Sequence, residues 1–136
     1  MKEIKFTLVL PKAIKSLNTT QGGKTWRTRH HKNKADRLDW ERLLRSEFVR
    51  AVRKYGTPLR PNAFATRVCI VRVWGKGERA FDVDNLIGGC KSLVDSMKAW
   101  LIVDDSPGRC NIVYYQTKGP FRGVDGGNTV IELSYN

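Results

Sequence analysis

The spacing of apolar positions changes along the chain. Between Ile4 and Leu10, "IKFTLVL" alternates weakly and is rich in strand formers, and Pro11 ends the run. A first strand is predicted there. From Lys12 to Arg29 the chain holds Gly22-Gly23, many polar side chains and no period, so it reads as a long loop. Loops of that length in small domains usually serve a function. The period then becomes helical. Trp40, Leu44, Phe48, Ala51/Val52 and Tyr55 recur at steps of three and four, predicting a buried stripe with Arg37, Arg42, Arg45, Arg50 and Arg53 on other faces. Gly56 and Pro58 stop this helix.

"FATRVCIVRVW" predicts a second strand, interrupted by Gly75 and Gly77. A second helix is expected from Asn85 to Trp100, with Leu86/Ile87, Cys90, Leu93/Val94, Met97 and Leu101 inward. Two further strands are expected at Arg109 to Thr117 and Thr129 to Tyr135, joined as a hairpin by the glycine-rich "KGPFRGVDGGN". The order β-α-β-α-β-β predicts an α+β fold, a small mixed β-sheet with helices packed on it, in a single domain over 1–136.

No apolar run approaches the ~20 residues of a membrane span, so no membrane partner is expected. The first residues are too charged for a secretory leader, which points to a cytoplasmic protein, nucleoid-associated in a bacterial host. Cys69, Cys90 and Cys110 are odd in number and form no CxxC pair, which suits reduced thiols better than a zinc site.

Charge changes the picture. The chain carries 25 Lys and Arg against 13 Asp and Glu, a net charge of +12. Such a balance points to a polyanionic partner, nucleic acid above all. It is also uneven. Ile4 to Ala35 contains no acid but holds Lys5, Lys12, Lys15, Lys24, Arg27, Arg29, Lys32, Lys34, His30 and His31. Acids gather instead in Glu78, Asp82, Asp84, Asp95, Asp104 and Asp105.

Asp82 and Asp84 are two apart. If that stretch is extended, both carboxylates share a face, where they repel unless a cation sits between them. A divalent metal resolves the repulsion, and Mg²⁺ prefers such oxygen ligands. "DVD" and the later "VDD" would supply carboxylates from two segments to one site for metal-assisted phosphodiester cleavage. Lys91 and Asp95 are four apart on the expected helix. They read either as a surface ion pair or as a cation brought near the carboxylates for the scissile phosphate. Asn85 reads as a helix cap.

These residues resemble the RusA family of Holliday junction resolvases, small endonucleases of phages, prophages and bacteria. The family signature, D-x-D-N-L followed by Lys, an Asp four residues later and then D-D, is matched by Asp82-Val83-Asp84-Asn85-Leu86, Lys91, Asp95 and Asp104-Asp105. The spacing from Asp84 to Lys91 is longer than in familiar members. The resemblance implies that Asp82, Asp84 and Asp105 bind Mg²⁺, with Mn²⁺ able to substitute and Asp104 assisting, and that Lys91 is the catalytic lysine. It also implies a homodimer that cuts branched DNA, especially four-way junctions, by symmetric paired nicks, in keeping with the junction's approximate two-fold symmetry. Nucleic-acid contacts are expected from Lys24, Arg27, Arg29, His30, Lys32, Lys34, Arg79 and Asn85. Phe121 and Arg122 read as contacts to DNA or to the partner subunit. Two alternatives stay open: a non-catalytic basic DNA-binding protein with structural aspartates, and a metal-dependent phosphohydrolase of small substrates. The latter lacks a glycine-rich phosphate loop.

Overall fold

A computed structural model describes residues 3–16, 26–56, 63–98, 100–106 and 108–135, and for 26–31 and 55 the backbone alone. The chain runs β1 (Ile4–Leu10), α1 (Trp26–Tyr55), β2 (Arg67–Trp74), α2 (Val83–Gly89), α3 (Lys91–Met97), β3 (Asn111–Lys118) and β4 (Asn128–Tyr135). The fold is a mixed α+β arrangement in which one open sheet has the strand order β1-β4-β2-β3. β4 is antiparallel to both β1 and β2, whereas β3 lies parallel to β2.

Strand alternation sorts side chains onto two faces. Phe6, Leu8 and Leu10 of β1, Val68 and Ile70 of β2, and Ile131, Leu133 and Tyr135 of β4 share one core with the helices. Trp40, Leu44 and Ala51 enter it from α1, Leu86 and Cys90 from α2 and its end, and Leu93, Val94 and Met97 from α3. The opposite face is covered over Val71, Val73 and Val130 by Phe121 and Val124 from the β3–β4 connection. Phe121 is thus a covering residue, and Arg122 pairs with Glu132 of β4. Of the adjacent tyrosines, Tyr114 packs on the helical core and Tyr115 is exposed.

Three expectations are corrected. α1 begins at Trp26, so the loop expected to run to Arg29 ends before it. The first buried of the described side chains of α1 is Trp40, and the sequence before it carries no apolar period from which a helix could be read. Lys12 anchors this part of the helix, its ammonium 2.6 Å from Asp36 and 2.8 Å from Asp39. Second, β3 and β4 do not form a hairpin. Their connection passes the end of β2, where a Cβ on Gly126 would lie 2.3 Å from the Gly75 Cα. That contact requires glycine and sends β4 to the far side of β2.

Third, the helix expected from Asn85 to Trp100 is two helices that meet at Cys90. The Cys90 amide donates to the carbonyls of both Leu86 and Ile87, each at 3.1 Å, closing α2. A Cβ on Gly89 would lie 1.9 Å from the Lys15 carbonyl oxygen, so the end of α2 is pressed against the backbone after β1. Cys90 is fully buried beneath this break, and burial pushes its thiol up to about 12, against a smaller lowering by Arg72. Cys69, Cys90 and Cys110 are free thiols. Among the described residues no helix is long and apolar enough to cross a membrane.

Candidate active site at the acidic crossover

Parallel neighbours cannot be joined by a tight turn and need a crossover. Between β2 and β3 that crossover is the acidic segment itself, with α2 and α3 at its centre. Asp82 and Asp84 stand at its head, and Asp104 and Asp105 at its tail.

The head is built on Arg72. This residue shares the helical face of β2 with Val68 and Ile70, where a charge needs partners, and it is 5% exposed. Its Nη1 donates to the Arg79 carbonyl at 2.9 Å and to Gln116 Oε1 at 3.1 Å, and its guanidinium lies 3.4 Å from the Phe81 ring centroid. Burial pulls its pKa down, opposed by Glu78. Gln116 of β3 completes the mount: its Oε1 accepts from Phe81 N at 2.9 Å and its Nε2 donates to Phe81 O at 2.6 Å. Asp82 follows directly.

Asp82 is the N-cap of α2. Its backbone is extended (φ −67°, ψ 165°) and its Oδ1 accepts from Asn85 N at 2.8 Å. Asn85 Nδ2 donates back to Oδ2 at 3.0 Å. The cap is therefore Asp82, and Asn85, expected as the cap, is its partner in the first turn. Asp84 lies inside α2 and is exposed. The extended stretch expected over Asp82 to Asp84 does not form, because α2 begins at Val83 and takes Asp84 into its first turn.

The tail differs too. Asp95 pairs with Lys98, three residues on, at 3.1 Å. The same ammonium lies 3.4 Å from Asp105. Lys91, the expected partner of Asp95, is exposed on the first turn of α3. The Asp95 bond chiefly raises the Lys98 pKa. Asp104 Oδ1 accepts from Ser106 N at 2.8 Å, and the bonds from Ser106 hold its carboxyl below the usual range.

The head of the crossover is fixed to β3. Gln116 holds Phe81, while burial pushes the Tyr114 phenol up to about 12, with the fields of Cys90 and Asp105 adding to the shift. Tyr114 and Gln116 share a face two residues apart, about 7 Å along the strand. Among the described residues no three His, Cys, Asp or Glu side chains are gathered as a ready-made metal cluster. The donor chemistry nevertheless suits Mg²⁺, since every acid here offers hard carboxylate oxygen. Asp82 keeps lone pairs beyond those facing Asn85, and Asp84 is exposed.

No protein-family model matches the chain, and no curated protein matches it significantly. The functional reading therefore stands on the residues.

The expected nucleic-acid contacts divide. Lys24 and the side chains of Arg27, Arg29 and His30 lie outside the described residues. Lys32 lines a groove of about 280 Å³ with Lys12, Lys15, Asn33, Asp36 and Asp39, and Lys34 is exposed on the same helix. Arg79 is exposed and gives its carbonyl to Arg72. Three residues that organise the site, Arg72, Gln116 and Lys98, have no place in the sequence-based expectation. Arg72 alone carried a signal, a charge at an inward position of an apolar strand.

Proposed function

We propose that this protein is a RusA-like, Mg²⁺-dependent, structure-selective endodeoxyribonuclease that works as a homodimer on branched DNA, four-way junctions above all. The reading is supported by one observation. The two halves of the acidic signature flank one crossover between parallel neighbours, its head fixed to β3 through Gln116 and its Asp95 and Asp105 meeting on Lys98, within a chain of net charge +12.

Asp82, Asp84 and Asp105 would hold the ion, with Asp104 beside them. Bound Mg²⁺ supplies charge neutralisation and an activated water for phosphodiester hydrolysis. The chain's own part is positioning. Arg72 and Gln116 fix the backbone before Asp82, and Asn85 orients its carboxylate. Lys91, exposed on α3, brings positive charge to the scissile phosphate in this reading. A two-fold dimer would present one such site to each of two strands.

The test is a synthetic four-way junction with Mg²⁺ beside a linear duplex of the same sequence. Paired symmetric nicks in the junction alone, absent in Asp82→Asn and Asp105→Asn, are expected. Cleavage that persists in both variants would sink the mechanism. Acids repel DNA until they are neutralised, so Ca²⁺ is expected to tighten junction binding.

A second reading is favoured by the partners the acids already have. Asp82 caps α2, Asp95 and Asp105 share Lys98, and Asp104 accepts from Ser106. Under that reading the protein binds DNA without cutting it. Salt-sensitive binding with no nicks in Mg²⁺ or Mn²⁺ would select it.

A further inference from the structure

The last turns of α1 carry more positive charge than the fold requires. Positions 45, 49 and 53 form one ridge of the helix and 46, 50 and 54 the next. Arg45, Ser46, Val49, Arg50, Arg53 and Lys54 line a single open groove of about 740 Å³. Four of these six are cations and none is an acid. The helix dipole accounts for Arg53 and Lys54 in the last turn but not for Arg45 and Arg50 before them.

Arg45 is held in place. Its Nε and Nη2 donate to Glu41 Oε1 at 3.2 and 3.0 Å, and its guanidinium lies 4.5 Å from the Trp100 ring centroid. Arg50 is 73% exposed, with Glu47 at 3.4 Å, and Arg53 is exposed. A fixed arginine followed by exposed ones suits a row of phosphates, which accept paired N–H donors. No described aromatic side chain lines the groove.

The groove begins beside the acidic crossover, since Arg45 is bonded to Glu41. Arg37 and Glu41, the turns of α1 before Arg45, line a cavity with Asp95, Ser96 and Lys98. Trp100, beneath Arg45, donates from its indole to the Ser96 carbonyl at 2.8 Å. From Arg45 the groove runs nine residues, about 14 Å, away from that cavity. This matches roughly four base pairs of duplex at 3.4 Å each.

We infer that this groove is a second nucleic-acid contact surface, which holds the phosphate backbone of a duplex arm a few base pairs away from the aspartates. As an account of where an arm of cut DNA lies, it rests on the proposed function. As a duplex-binding surface it is tested apart from cleavage.

The experiment measures binding of a linear 30-base-pair duplex, without metal, over a range of salt. It compares the natural protein with Arg50→Gln/Arg53→Gln. Lys76→Gln/Lys118→Gln, which removes the same charge from exposed positions off the groove, serves as control. All three are checked for unchanged circular dichroism and sedimentation. The groove variant is expected to bind at least tenfold more weakly at moderate salt. Its slope of log K against log salt should fall by about 1.8, the counterions of two phosphate contacts. The control variant should keep most of both. These results support the groove whether or not junctions are cut. Equal losses in the two variants, or an unchanged slope in the groove variant, would overturn it. So would absent duplex binding by the natural protein. Dissociation of a dimer in the groove variant would assign the face to a second copy and overturn it as well.

Discussion

Gln116 holds the backbone of Phe81 from both sides, accepting from its N–H at 2.9 Å and donating to its carbonyl at 2.6 Å. One amide side chain on an edge strand thereby sets where the Asp82 carboxylate begins. Gln116→Ala would leave two half-buried backbone groups and one Arg72 donor without this partner. The expected cost is about 1–3 kcal/mol in urea denaturation. If the proposed function is right, junction cleavage falls further than stability does. Gln116→Glu keeps the acceptor for Phe81 N and Arg72 and is expected to lose less. Equal stability in all three proteins would contradict the mount.

Asp82 carries two roles that one pair of substitutions separates. Asn caps a helix as well as Asp does, so Asp82→Asn should stay within about 0.5 kcal/mol of the natural stability, and Asp82→Ala should lose about 1 kcal/mol. Both are expected to abolish metal-dependent cleavage. Thermal melts beside the junction assay check this, and cleavage retained in Asp82→Asn would show that the carboxylate only caps.

Lys98 competes for Asp105. Its ammonium is 3.4 Å from that carboxylate, so a divalent ion held there has to displace it. Lys98→Met is expected to bind Ca²⁺ severalfold more tightly by calorimetry while losing at most about 1 kcal/mol of stability, as exposed pairs contribute little. Unchanged Ca²⁺ affinity would mean that Asp105 is not a ligand.

The Lys12 cluster predicts the shape of the pH profile. Bonds from Lys12 and then Arg42 hold the Asp39 carboxyl below its ordinary value. Its contribution is present above the unfolded carboxylate range and is lost as pH falls through the lowered folded value. Burial alone would lower the Lys12 pKa, but its bonds to Asp36 and Asp39 outweigh this and leave it raised. That contribution is complete below the unfolded lysine value and disappears as pH rises through the raised one. Asp39→Asn should flatten the acid limb of stability against pH, and Lys12→Met should flatten the alkaline limb at a cost of about 1–2 kcal/mol near neutrality.

Gly89→Ala tests the contact that ends α2. A Cβ there would overlap the Lys15 backbone carbonyl, which cannot swing aside as a side chain can, so the helix has to move. A loss of about 2 kcal/mol or more is expected in denaturant titration, in the range of other steric insertions into packed sites. A neutral substitution would mean that the approach of α2 to residue 15 is loose.

Much of this protein is local and was legible from the chain. The inward stripes of α1 and of the crossover helices, the four strands and the clustering of acids all follow from residues close in sequence, since burial on one face imposes a period. The reading failed where distant residues decide. The first turns of α1 carry no apolar period to read, and the anchor at Lys12 meets the helix only further on, at Asp36 and Asp39. Lys91 and Asp95 stay four apart within α3, yet Asp95 meets Lys98, just past the end of that helix. Pairing β3 with β2, and not with β4, makes the acidic segment a crossover and gives Gln116 and Tyr114 their roles. By itself the sequence determined which elements form and where opposite charge accumulates. The tertiary structure alone decided which strand neighbours which and which partner each aspartate finds, because hydrogen bonds and ion pairs depend on ångström distances that no spacing along the chain sets.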